Sequence, residues 1–263
     1  MSNEWRTQGV PTIRASLDRL ELNQGEHARL LLQRYLQRHK PLQRENQASM
    51  PEEDLLDAVQ HLRLPDAYQV AFQRWQEFAR KRACCFTMAL ATPLAIGLGN
   101  ASPLEVGLTL HHTYGMPLIP GSALKGLCRR GAHWLSKEGK LSQQELEMMF
   151  GTGGKQTSAA GCVVFYDAWY ATNSANDKPF HRDVITVHHP AYYASGQQAP
   201  TDFDDPNPVP FLVVKPKAQF LFAIDATTEQ WAKFAEQLLR WCLQHLGVGA
   251  KTNAGYGYFA EVR

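Results

Sequence analysis

Two textures of hydrophobic patterning divide the chain. As far as Arg82, apolar residues return every three or four positions. Ala28, Leu31, Leu32 and Tyr35 form one such set, and Leu55, Leu56, Val59 and Leu62 a second that opens on Pro51. The widest stripe runs through Tyr68, Ala71, Phe72, Trp75, Phe78 and Ala79 and ends in Arg80–Lys81–Arg82. Recurrence at i, i+3, i+4 and i+7 marks amphipathic helices. Residues 15–82 are therefore expected to be helical, with 1–14 an irregular arm and 40–49 a linker. Beyond Arg82, apolar runs bounded by turn residues predict strands at 83–92, 161–170, 184–189, 210–214, 219–225 and 257–262, with 105–112 a further extended piece. Helical spacing returns at 121–137 and 142–150, and again after Thr228, where Trp231, Phe234, Ala235, Leu238 and Cys242 share a face. The division is thus an N-terminal arm and helical extension, 1–82, and a second domain, 83–263. Strand, helix, strands, helix, strand suits an α+β sandwich of the split β-α-β kind. No repeat recurs at a solenoid period.

Composition narrows the function classes. At 263 residues and 44% apolar, the chain can bury a sizeable core. No run of about eighteen apolar residues is present, and the first residues lack the apolar segment of a secretory signal. Cys84, Cys85, Cys128, Cys162 and Cys242 form no C-x-x-C pair. Reduced thiols in a cytoplasmic protein are expected, and a zinc ribbon is not. A net charge of +2 means that any nucleic-acid binding must come from local clustering or from neighbours in a complex.

Two loops concentrate that possibility. In 247–259 (GVGAKTNAGYGYF), Gly249, Lys251, Thr252, Asn253 and Tyr256 combine a permissive backbone with one charge and several hydrogen-bonding groups. The order helix, loop, strand fails both the Walker and the dinucleotide fingerprints, which run from strand into helix. In 115–135, Pro117 and Pro120 keep the chain extended before a helix that Ser122 is expected to cap. Lys125, Arg129 and Arg130 then place cations where the helix dipole favours anions. A sugar–phosphate backbone would account for both loops, with Tyr114, Tyr192, Tyr193, Tyr256 and Tyr258 as candidate stacking partners for bases. A solvated basic helix face and a flexible connection are the plainer alternatives.

Catalytic signals are sparse. His111–His112 and His188–His189 are adjacent pairs, and neighbours on a strand point to opposite faces, so neither pair predicts a metal site. A histidine could act as acid or base in RNA cleavage, but nothing in the sequence orients one for it. Asp202, Asp204 and Asp205 read as a solvated acidic loop, and no G-x-S-x-G elbow occurs. The expectation is no catalytic residue, no metal and no cofactor.

IPGSALKGLCR followed far downstream by GVGAKTNAGYGYF resembles the RAMP superfamily of CRISPR proteins. The intervening order of MMFGTGG, VVFYDA, DVITVHHPAYY and DDPNPVPFLVV looks like that of a subunit of type III-B (Cmr) effector complexes, over about residues 83–262. The resemblance implies a ferredoxin-like, RRM-related core in a multi-subunit ribonucleoprotein. Such a subunit holds guide RNA and supports target RNA binding. It caps the backbone filament at the guide's 3′ portion, beside a backbone RAMP subunit and a small helical subunit, and a different subunit cuts the target. By position, Ser122, Lys125 and Arg129 fall on the family's helix-opening loop, and Gly249, Lys251, Thr252 and Asn253 on its glycine-rich loop. A metal-independent endoribonuclease using His111, His112 or His188, or a purely protein-binding assembly subunit, are the rival readings.

Overall fold

The structure is a computed structural model and describes residues 21–22, 25–36, 51–104, 106–153, 158–187, 196, 199, 201 and 207–262. The expected arm and linker, His188, His189, Tyr192, Tyr193, Asp202, Asp204 and Asp205 lie outside the described residues.

The central sheet is built from β1 (Cys84–Leu90), β2 (Leu118–Ile119), β5 (Val163–Phe165), β6 (Ala168–Tyr170), β9 (Gln219–Ala226) and β10 (Phe259–Glu261). Its order is β10-β1-β9-β6-β2, with β5 continuing the β6 edge of β9, and every pairing is antiparallel. Helix α4 (Gly121–Lys137) falls between β1 and the β5–β6 pair, and α6 (Glu229–His245) between β9 and β10. Setting the short edge strand β2 aside and counting β5 and β6 together, this is β-α-β-β-α-β with the split order 4-1-3-2.

Pattern explains the faces. Phe86, Met88 and Leu90 alternate inward along β1, and Phe86 stacks on its cross-strand partner Phe222 at 5.0 Å. The Arg240 guanidinium of α6 lies 4.2 Å over Phe86, so α6 covers this face with α4 beside it. Thr87, Leu221 and Trp169 form the neighbouring row and, by alternation, point to the other face. There α3 (Asp66–Arg82) lies across the sheet, with Tyr68 and Trp75 stacked on Trp169 at 5.8 and 5.7 Å. The wide stripe read from the sequence thus packs on the core. Phe78 is the exception at 46% exposed, because it sits where α3 overhangs the β5 edge beside Tyr166.

A second layer joins α1 (Ala28–Arg34) and α2 (Pro51–His61) to the hairpin of β7 (Phe180–Val187) and β8 (Asn207–Val214). Leu31, Leu55 and Val59 bury against Phe180 and Leu212. Arg182 on β7 reaches Glu53 at 3.0 Å and Asp57 at 3.2 Å, fixing α2. In the segment 105–112, expected as an extended piece, the described residues 106–112 make one isolated bridge, Leu110–Pro117. The chain turns back at 112–114, so no ladder can propagate.

Thr228 caps α6 as expected, its hydroxyl accepting from the Trp231 N–H at 3.3 Å. Helix α5 (Gln143–Phe150) opens on a capping box between Ser142 and Glu145. It leads into a two-pair hairpin of β3 (Gly151–Thr152) and β4 (Ala159–Ala160), which the periodicity did not reveal. All five cysteines are free.

Candidate nucleic-acid interface

Helix α4 does not begin as the sequence suggested. Ser122 lies inside the first turn, exposed, and the preceding cap position is Pro120, which has no side-chain acceptor. The acceptor comes from far along the chain: the Gly121 N–H donates to Asp167 Oδ1 at 2.7 Å. A carboxylate at a helix N-terminus compensates the dipole, which leaves the cations one turn further on without a structural duty at the cap.

Lys125 and Arg129 instead line an open cleft of about 570 Å³ between α4, the β3–β4 hairpin and β5. Phe150 and Phe165 stack nearly parallel at 6.2 Å and form its apolar floor, and Gly151, Gly153 and Gly161 bring bare backbone to its wall. Neither cation makes an ion pair among the described residues. Two unpaired cations facing exposed backbone and an apolar floor can hold an anionic, partly aromatic ligand such as a nucleotide strand. Arg130 points elsewhere, its guanidinium 5.9 Å over the Trp134 ring.

The C-terminal loop has a different character. It folds on itself and onto the segment after β1: Val248 N–H bonds Gly257 O at 2.9 Å, Ala250 N–H bonds Ala95 O at 2.7 Å, and Gly257 N–H bonds Pro93 O at 2.8 Å. A Cβ on Gly257 would stand 1.9 Å from Val248 O, and one on Gly249 would stand 2.4 Å from Ala95 O. These two glycines are therefore demanded by the protein's own close packing. At the tip, Lys251 adopts a left-handed φ of 58° and is exposed together with Asn253. Thr252 is half-buried and its carbonyl accepts from the Tyr258 hydroxyl at 3.2 Å. The loop abuts the β1–β10 side of the sheet while α4 begins beside β2 and β6, and no residue of 247–258 lines the cleft. Lys125 and Lys251 thus belong to separate surfaces rather than one groove wall.

Among the described residues, the candidate stacking rings Tyr114, Tyr256 and Tyr258 are engaged internally. Tyr256 packs near Phe211 and donates its hydroxyl to Asp183 Oδ2 at 2.7 Å, and this bond, with burial, pushes its pKa up to about 12. Tyr114 sits among Tyr68, His111 and Trp169. In that same cluster His111 accepts the Thr113 N–H on Nδ1 at 3.2 Å and lies 4.6 Å from Trp169. Burial lowers its pKa, against the raising influence of Asp167. His112 is exposed. Among the described residues, no cluster of three or more His, Cys, Asp or Glu could hold a metal ion, and no helix is long and apolar enough to cross a membrane.

Sequence reasoning missed the cleft wall. Its one signal was the glycine spacing on either side of the TGGKQTSAA loop, which reads equally well as a polar connection.

The chain as a whole has relatives. The RAMP superfamily matches residues 87–260. The chain is 30% identical to the CRISPR system Cmr subunit Cmr6 of Pyrococcus furiosus, over 64% of this chain and 65% of that one. It therefore spans slightly less than two-thirds of that relative's length. A chain in the cryo-EM structure of type III-B Cmr-beta bound to cognate target RNA superposes with a TM-score of 0.63 at 26% identity, covering 81% of this chain and 71% of the other. The crystal structure of Cmr6 from Pyrococcus furiosus aligns at 28% identity with a TM-score of 0.44, over 68% of this chain and 98% of that one. The family match runs from within β1 to within β10, the full extent of the split sheet and its two helices, and the chain belongs to the RAMP superfamily.

Proposed function

We propose that the chain is a non-catalytic, RNA-holding structural subunit of a type III-B (Cmr) CRISPR effector complex in the cytoplasm. Its kinship with Cmr6 and with a chain of Cmr-beta supports membership of such a complex. The observation that carries RNA holding is the cleft, where Lys125 and Arg129, without an ion pair among the described residues, stand beside the backbone of Gly151, Gly153 and Gly161. The chain caps the backbone filament at the guide's 3′ portion, next to a backbone RAMP subunit and a small helical subunit, and supports the bound target. Guide and target pair with each other, so a protein here needs only backbone contacts. An endoribonuclease reading draws little support from His111, whose ring is wedged between Tyr114 and Trp169.

The test is guide retention by complexes assembled with wild-type chain or with Lys125→Ala/Arg129→Ala, measured across a salt series. Losing two single-strand phosphate contacts should make the slope of log K against log salt shallower by about 1.4, at ~0.7 per contact. Equal affinity and slope in the variant would overturn the reading.

A further inference from the structure

Helix α4 carries Lys125, Arg129, Arg130, His133 and Lys137 and no acidic residue. Its buried side, set by Leu124, Leu127, Cys128, Gly131 and Ala132, confines these residues to the opposite half of the helix. Lys125, Arg129, His133 and Lys137 follow one another at four-residue steps, each about 6 Å further along the axis. None of them forms an ion pair among the described residues, whereas the neighbouring helix neutralises its own cations, Lys233 with Glu229 and Arg240 with Glu236 and Glu261.

This basic row begins in the cleft, where Lys125 and Arg129 are shared by both surfaces. On its far side it meets Trp134, 43% exposed, and Trp241 of α6, 40% exposed. The two indoles meet edge to face at 6.0 Å, with Arg130 over Trp134 and His245 5.1 Å from Trp241. Two large aromatic side chains left in water beside unneutralised cations fit a single-stranded nucleic acid, whose phosphates take the cations and whose bases take the rings. An acidic protein segment would satisfy the cations and leave the indoles without a purpose.

We infer that α4 is a track for single-stranded RNA, leading from the cleft to the Trp134–Trp241 pair, which stacks an unpaired base. The inference rests on the RNA-holding reading and extends it to a base contact. Because every base has a π-face, the contact tolerates any sequence.

The experiment uses the full chain, a labelled single-stranded oligouridylate of about ten nucleotides and an abasic strand of equal length. Wild type should bind the intact strand about fivefold or more tightly than the abasic one, the margin of one stacked base. Trp134→Leu and Trp241→Leu, checked by circular dichroism, should lose that margin and keep the abasic affinity. Tryptophan emission should be quenched by the intact strand in wild type and much less in either variant. A margin that survives both substitutions overturns the track, as does an equal loss for both strands. Unaltered RNA binding combined with failure to enter the assembled complex also overturns it, and assigns the indoles to a protein neighbour. If wild type binds neither strand, and guide retention in the complex ignores Lys125→Ala/Arg129→Ala, the underlying reading has failed. If that double variant weakens both strands while the tryptophans change nothing, the cleft stands and the track alone is refuted.

Discussion

The hydroxyl of Tyr256 donates a 2.7 Å hydrogen bond to Asp183 Oδ2, tying the glycine-rich C-terminal loop to β7. That bond spans 73 residues and crosses from the central sheet's surroundings to the second layer. With Phe211 tilted beside the ring at 6.5 Å, Tyr256 is an anchor of the loop that presents Lys251 and Asn253.

Tyr256→Phe should therefore lower stability by about 1.5 kcal/mol, the lower range for a hydrogen bond to a charged group, as read from urea unfolding. Its pH dependence has a definite sign. The folded pKa is raised from 10.0 to about 12, chiefly by the bond to Asp183. The stabilisation is thus complete below pH about 10 and is lost as pH rises towards about 12. Tyr170, raised to about 12 mainly by burial, adds a loss in the same window. The variant should show a shallower alkaline decline than wild type. An identical decline would mean the phenol and Asp183 are not paired in solution.

His111 gives the opposite sign. Burial holds its folded pKa below 6.5, so its contribution is present above pH about 6.5 and is lost as pH falls through the lower folded value. His111→Gln should flatten the acid limb of the stability profile. Target cleavage by the assembled complex should stay near wild type with His111→Gln or His112→Ala. A general base contributes about a hundredfold or more, so a loss of that size with assembly intact would falsify the non-catalytic reading.

Lys251 separates charge from conformation. Its left-handed φ is strained for a residue with a Cβ, by about 1 kcal/mol or more. Lys251→Gly should leave thermal stability unchanged or slightly improved while making the salt slope of guide retention shallower by about 0.7. Stability preserved with an unaltered slope would place Lys251 away from the RNA.

The α3 cluster offers a ranking. Tyr68 donates its hydroxyl to Tyr170 O at 2.7 Å, whereas the buried Trp75 Nε1–H has no partner among the described residues. Tyr68→Phe should cost about 1–2 kcal/mol, because it orphans a buried acceptor. Trp75→Phe removes an unsatisfied donor whose burial carries a penalty of about 1–3 kcal/mol, offsetting lost contact area. Denaturant melts should therefore find Trp75→Phe the milder change despite the larger volume removed. The reverse order would show that the indole N–H finds an acceptor in solution.

Much of this architecture was legible in the sequence because its elements are periodic. Helices α4 and α5, strands β1 and β9 and the Thr228 cap all announce themselves within a few residues. What stayed hidden depends on partners distant in sequence. The cap of α4 is Asp167, 46 residues away, so Ser122 was the best local candidate and the wrong one. The cleft needs α4, the β3–β4 hairpin and β5 together, and a hairpin of two pairs leaves no alternation to detect. Trp134 and Trp241 are unremarkable on their separate helices and become a pair only when α4 packs on α6.

The position of α3 has a consequence for recognition itself. RNA-binding sheets of the RRM type read bases on an open aromatic face. Here that face is spent on Tyr68, Trp75 and Trp169, and the opposite face on α4 and α6. Among the described residues both faces of the sheet are covered by helices, which leaves its rim and the helix backs open to a ligand. On the proposed function, contacts confined to the backbone would let one such chain serve beside any guide.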